Sequence, residues 1–169
     1  MPDVDGQIAA CIPNLRRYAL GLTGNREAAD DLVQDTMERA WTRIALWQRR
    51  GDLRAWLFSI LHNLFVDRVR AQRKLRVESI GDEDATVPVR ATQADMLEVR
   101  DLDRALLLLP LEQREVLLLV AVEQMSYEQV ARTLGIPAGT VMSRLSRGRE
   151  RLRSLLEGRE PVTRLKAVR

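Results

Sequence analysis

Between Leu53 and Val69 the apolar side chains Leu53, Trp56, Leu57, Ile60, Leu61, Leu64, Phe65 and Val69 recur at i, i+3, i+4 and i+7. That spacing puts every one of them on one side of an α-helix, and no strand can use it, because a strand turns successive residues to opposite faces. No other part of the chain alternates with the two-residue period of a strand, so the expected fold class is all-α. Asp52, just before the stripe, is placed to cap a long helix running to about Arg73.

Shorter helical stripes flank it. Ile8, Cys11, Ile12, Leu15, Tyr18, Ala19 and Leu22 keep helical spacing, with Pro13 inside the pattern predicting a kink or a late start. Asn25 can cap the next helix, and Glu27, Asp30 and Asp31 suit its positive N-terminal end. That helix is predicted to reach about Trp41, with Ala29, Leu32, Val33, Met37, Ala40 and Trp41 facing inward; Trp56 likewise reads as core. Residues 75–93, LRVESIGDEDATVPVRATQ, lose all periodicity and read as a flexible linker. Periodicity returns at Met96, Val99, Leu102, Ala105, Leu106 and Leu109, and Pro110 starts another helix with Val116, Leu117, Val120 and Ala121 on its buried side. The expected organisation is two small helical domains, 1–76 and 94–169, joined by a linker at 77–93.

Ser126 followed by Gln129 has the form of a capping box, so a short helix begins there. Gly135 ends it with a left-handed residue, Ile136 plugs the turn, and Pro137 suits an early position of the following helix. Ala131, Gly135 and Val141 then have the spacing of a helix-turn-helix: a small residue where two helices cross, a glycine at the turn, and an apolar residue seating the second helix. Thr140, Ser143, Arg144, Arg147 and Arg151 face outward, with Arg149 flanking. Arginine reads guanine edges in a bidentate fashion and holds phosphate; the alternative is a helical hairpin with a solvated basic face, against which stand the capping box, the turn proline and five arginines between Arg144 and Arg153.

The charge is unevenly distributed. Residues 132–169 hold 10 basic against 3 acidic groups, and residues 43–76 hold 9 against 2, although the whole chain is only +3. Two basic blocks separated by acidic ones suggest two contacts with a polyanion. Cys11 is the only cysteine, so no internal disulfide or thiolate metal cluster is expected. The N-terminus lacks a secretory pattern, and no apolar run approaches a membrane span. The expectation is a cytoplasmic protein without a metal, cofactor or catalytic residues, since no metal-ligand spacing, Gly-rich phosphate loop or nucleophile–base pair is present.

The stretch LPLEQREVLLLVAVEQMSYEQVARTLGIPAGTVMSRLSRGRERLRSLL resembles the C-terminal domain of bacterial sigma factors. YALGLTGNREAADDLVQDTMERAW and GDLRAWLFSILHNLFVDRVRAQRK resemble the second conserved domain of that family. With both halves in order and no middle domain between them, the chain resembles the extracytoplasmic-function (ECF) group of the sigma-70 family. The resemblance implies that Asp31, Leu32, Gln34 and Asp35, with Asp30 and Glu38 alongside, bind the clamp helices of the polymerase β′ subunit. It implies a further contact with the β flap.

The loop Leu46–Asp52 and the helix after it would hold the opened −10 strand. Single-stranded DNA calls for a basic groove with aromatic or polar groups that capture an unstacked base. Trp47, Arg49, Arg50, His62 and Asn63 are candidates, and Arg68, Arg70, Arg73 and Lys74 would track phosphate. The Thr140–Arg151 face would read the −35 duplex. Met142 stands where related factors often carry a basic residue, and it suits a thymine methyl. The resemblance also implies an anti-sigma partner. The competing reading is a stand-alone helix-turn-helix regulator, which would usually dimerise on two half-sites; no heptad seam for dimerisation is visible.

Overall fold

A computed structural model describes residues 3–47, 51–79 and 97–158. Arg49, Arg50, residues 80–93 of the expected linker, Met96 and the tail beyond Gly158 lie outside the described residues. Every regular element among the described residues is helical: α1 Val4–Thr23, α2 Arg26–Trp47, α3 Leu53–Ser79, α4 Leu97–Leu108, α5 Leu111–Leu117, α6 Tyr127–Leu134 and α7 Ala138–Leu156. A π-helical turn, Leu118–Val122, prolongs α5.

The helix starts follow local chemistry. Asp3 accepts the Gly6 N–H at 3.0 Å, Asn25 accepts the Ala28 N–H at 3.0 Å, and Asp52 accepts the Arg54 N–H at 3.0 Å. Each side chain thus satisfies an N–H that the helix itself leaves without a partner. Pro13 lies inside α1, which begins at Val4, earlier than the apolar stripe suggests.

Two helices run past their predicted ends. The second is helical to Trp47 and the third to Ser79, with no Gly or Pro inside either added stretch. Leu75 and Val77 are 64% and 76% exposed there, so this last stretch is helical without being packed. Hydrophobic periodicity marks where a helix is buried, not where it stops. Trp41 is 45% exposed on the shoulder of α2, correcting its assignment to the core. Trp47 closes α2 rather than sitting in a loop, and it stacks on the half-buried Trp56 with ring centroids 6.1 Å apart.

The core is continuous across both halves of the chain. Ile8, Leu15, Tyr18 and Leu22 of α1 meet Leu32 and Val33 of α2 and Leu57, Phe58 and Leu61 of α3. The same cluster takes in Val116, Leu118, Leu119, Val130, Val141 and Leu145 from the C-terminal half. At Gly21 a Cβ would stand 2.7 Å from a Leu118 methyl, so α1 and the π turn approach closely there and a larger residue would displace that methyl. The domains are therefore packed against each other, with α6 lying on α3.

Ser126→Ala removes one bond of the reciprocal cap that starts α6. It is expected to cost about 1 kcal/mol, read as a lower urea midpoint at unchanged slope. A midpoint equal to wild type would show that the cap contributes nothing to this packing.

Candidate nucleic-acid interface

The helix-turn-helix is assembled from its caps outward. Ser126 Oγ accepts the Gln129 N–H at 3.1 Å, and Gln129 Oε1 accepts the Ser126 N–H at 2.8 Å. Gly135 closes α6 at φ 66°, a left-handed conformation that side chains resist. Pro137 follows at φ −62° and ψ 148°; it precedes α7 by one residue, and its carbonyl accepts the Thr140 and Val141 N–H groups at 3.0 and 3.1 Å. Val141 and Leu145 then seat α7, and Gly148 lies against Leu117 and Gln113 of α5.

The outer face of α7 holds the residues expected there. Ser143, Arg147, Arg149 and Arg151 are exposed, and Thr140 is half-buried. Arg144 is half-buried as well, with Nη2 3.5 Å from Glu112 Oε2. At about 100° per residue, Thr140, Ser143, Arg147 and Arg151 form one shoulder of the helix. Arg149 lies on the other, beside Met142, Arg153 and Tyr127, which line an open groove of ≈ 530 Å³. A helix with arginines on both shoulders can meet the two phosphate walls of a major groove at once.

The acidic residues of α2 also share a surface. Asp31, Gln34 and Glu38 are exposed, with Gln34 Nε2 donating to Glu38 Oε1 at 3.4 Å, and Asp30 pairs with Arg16 at 2.8 Å. Leu32 is different: it is fully buried and anchors the helix from beneath, so it does not lie on this surface.

The −10 candidates are divided. Asn63, Arg70 and Lys74 are exposed and share a face of α3, with Arg73 exposed nearby. Arg68 is paired with Asp35, joining a residue expected to hold DNA to one expected to hold polymerase. His62 is only 9% exposed, and its Nδ1 lies 3.2 Å from Glu115 Oε1 of α5, badly aligned for a hydrogen bond. In this packing His62 faces the C-terminal half, not solvent.

A polar cluster between the two halves had no counterpart in the sequence patterns. Glu123, just after the π turn, is wholly buried and bonds Arg17 of α1 and Arg54 of α3. Burial and the Glu115 and Glu123 charges, in that order, push the Tyr18 hydroxyl well above its ordinary pKa. Its Oη has no hydrogen-bond partner. Arg17, Arg54 and Glu123 are separated by 106 and 69 positions, so no local signal joins them.

Comparison with known proteins fits this architecture. The family model described as the Sigma2 domain of PhyR matches residues 8–62, and the model described as Sigma-70, region 4 matches residues 100–152. Two such domains in this order define the sigma-70 class. The ECF RNA polymerase sigma factor EcfG of Rhodopseudomonas palustris is 41% identical over 149 residues, covering 88% of this chain and 82% of the relative. The ECF factor SigE of Mycolicibacterium smegmatis is 35% identical, over 92% of this chain and 62% of its own. Among solved structures, the sigma factor RpoE of Bartonella quintana, in complex with the anti-sigma factor NepR, superposes with a TM-score of 0.80 at 34% identity, covering 93% of this chain and 98% of that one. CnrH, in complex with the cytosolic domain of CnrY, gives 0.69 at 27%, covering 92% and 88%. The chain belongs to the ECF sigma factors of RNA polymerase, a family of transcription initiation factors and not of catalytic enzymes. No helix among the described residues is long and apolar enough to cross a membrane.

A raised tyrosine pKa leaves stability intact below the ordinary value of about 10. Stability falls as pH rises from there toward the folded-state pKa, because only the unfolded chain releases the proton. Tyr18→Phe removes an unpartnered buried hydroxyl. It is expected to leave neutral-pH stability unchanged or raise it by up to about 1 kcal/mol. It should also flatten the alkaline decline. An alkaline unfolding curve that overlays wild type would show that Tyr18 is not the group responsible.

Proposed function

We propose that the chain directs core RNA polymerase to its promoters through three surfaces, with domain limits at 1–76 and 94–169. The acidic face of α2, with Asp30, Asp31, Gln34 and Glu38 exposed and Asp35 half-buried beside Arg68, binds the β′ clamp helices. Opposite charges on a convex helix suit steered association with a basic partner. The outer face of α7 reads the −35 duplex, and the same domain meets the β flap. The distal face of α3, with Trp47 and the basic pair Arg49 and Arg50, holds the opened −10 strand. The protein works in the cytoplasm and performs no covalent chemistry. As RpoE is bound by the anti-sigma factor NepR in its solved complex, this chain is bound and controlled by an anti-sigma partner.

The observation that carries this reading is the pairing of an arginine-faced recognition helix with a separate exposed acidic helix in one chain. A stand-alone helix-turn-helix regulator needs the first and has no use for the second.

The test is transcription by core polymerase from a mixed promoter pool, with the 5′ ends sequenced. Defined start sites appear only when the protein is added. Tight duplex binding without polymerase, and no starts with it, would favour the stand-alone regulator. Asp31→Arg with Gln34→Ala is expected to weaken core-polymerase binding at least tenfold, a loss of roughly 1.4 kcal/mol, while duplex binding by α7 persists. Arg147→Ala is expected to lose about 1–3 kcal/mol of promoter affinity. A loss confined to particular base pairs marks a base contact, and a uniform loss with a shallower salt slope marks a phosphate contact.

A further inference from the structure

Glu150 is the only acidic residue of α7, whose other charged residues are Arg144, Arg147, Arg149, Arg151 and Arg153. It is exposed, and among the described residues no cation or hydrogen-bond donor meets its carboxylate. Its backbone carbonyl, not its side chain, accepts Ser154 Oγ at 3.1 Å. Arg147 and Arg153 stand three residues to either side, a spacing at which helix side chains can pair. Arg147 donates instead to the Ser143 carbonyl and hydroxyl at 3.3 and 3.4 Å. A carboxylate left unpaired among five arginines keeps its acceptor capacity open to a ligand.

Helix geometry points that capacity at base edges. Arg147 and Arg151 lie on one shoulder of α7, and Arg149 and Arg153 lie on the other. Gly139, Ser146 and Glu150 fall on the line between the shoulders, and all three are exposed. At Gly139 nothing lies within 4 Å of where a Cβ would stand, whereas Gly148 is packed against Leu117 and Gln113. Glycine weakens a helix, so one that no packing requires suits a backbone that a ligand approaches closely. With the arginine shoulders against the two phosphate walls of a major groove, this line faces the floor of the groove. Glycine and serine let the helix come near, and Glu150 is the one long side chain on the line.

The four bases offer a carboxylate different things there. Guanine presents the acceptors N7 and O6, thymine the acceptor O4 and a methyl group, adenine an acceptor beside a donor, and cytosine the N4 amine donor. An ionised carboxylate accepts and cannot donate. We propose that Glu150 selects a C·G pair in the −35 duplex by accepting the cytosine N4–H, a role that rests on the reading of α7 as the −35 helix. Over guanine or thymine the carboxylate stays unpaired between phosphates and faces acceptors of like sign. One residue thus favours the right base and repels the wrong ones.

The test uses the full chain bound to core polymerase and the −35 duplex recovered by mapping start sites, with each base pair varied singly and relative affinities read by competition. Wild type should favour C·G at one position by about tenfold. Glu150→Ala should bring the base pairs at that position to within about twofold of one another and leave preferences elsewhere in the element unchanged. Glu150→Gln should move the preference there to A·T, because an amide matches the adenine donor and acceptor together. Circular dichroism verifies helix content in both variants. A change by one factor on every duplex, with an altered salt slope, would show that Glu150 acts on phosphate and reads no base, which overturns the proposal. Preferences that survive both substitutions at every position also overturn it, and leave the −35 reading standing. Wild type that yields no start sites with polymerase, or discriminates at no position, overturns the −35 reading and the proposal with it.

Discussion

The apolar stripe of α3 is the element on which the other helices depend. Leu57, Phe58 and Leu61 are fully buried, and each contributes on the order of 1.5–3 kcal/mol by leaving water. On one side the stripe receives α1 and α2; on the other, α6 lies against the same helix. Phe58 joins the two environments, packing on Tyr18 at 5.3 Å between ring centroids and carrying the Arg54 guanidinium above its face. Asn63, Arg70 and Lys74 stay exposed on the remaining face of α3, whereas the C-terminal half covers the face that carries His62.

Twenty-five of the 27 basic residues are arginine, yet environment gives them different work. Arg147 and Arg151 lie exposed on a helix whose other face is pinned by Val141, Leu145 and Gly148. Arg147 donates to the Ser143 carbonyl and hydroxyl at 3.3 and 3.4 Å, exposed bonds that base edges or phosphates can replace. Arg54 is enclosed by Glu123 and Phe58, and Arg17 is held through both Nε and Nη2. Arg68 spans α3 and α2 through Asp35. The same planar donor set that suits nucleic acid also suits a buried carboxylate. A count of basic residues therefore measures potential for DNA binding but does not locate it.

Features set by neighbours in the chain were legible before any coordinates. The caps at Asn25, Asp52 and Ser126, the left-handed Gly135 and the seating residues Val141 and Leu145 all depend on residues within a few positions. The exposed basic face of α7 follows from those directly. Helix ends were less legible, because the last turns of α3 carry exposed Leu75 and Val77 and leave no packing signal. Trp41 was misplaced because spacing could not tell the shoulder of a helix from its centre. The π turn, the buried Glu123 and the sheltered His62 were not legible at all. The Glu123 and His62 contacts join residues dozens of positions apart, and no periodicity encodes such a pairing. Leu32 shows that a motif learned as a unit mixes exposed contacts with buried supports.

Burying a carboxylate is costly, and the effective penalty is several kcal/mol per ion even after the protein relaxes. Two guanidiniums and their hydrogen bonds at Glu123 offset much of that cost without leaving a large surplus. A leucine or methionine at position 123 could have sealed the contact through hydrophobic burial alone, but the resulting closure would need a strong partner to undo it. An ion cluster with orphaned polar atoms around it has a different property. Parting the two halves would return these polar groups to water but would also expose the apolar residues the halves share, so the ion cluster sets only part of the balance.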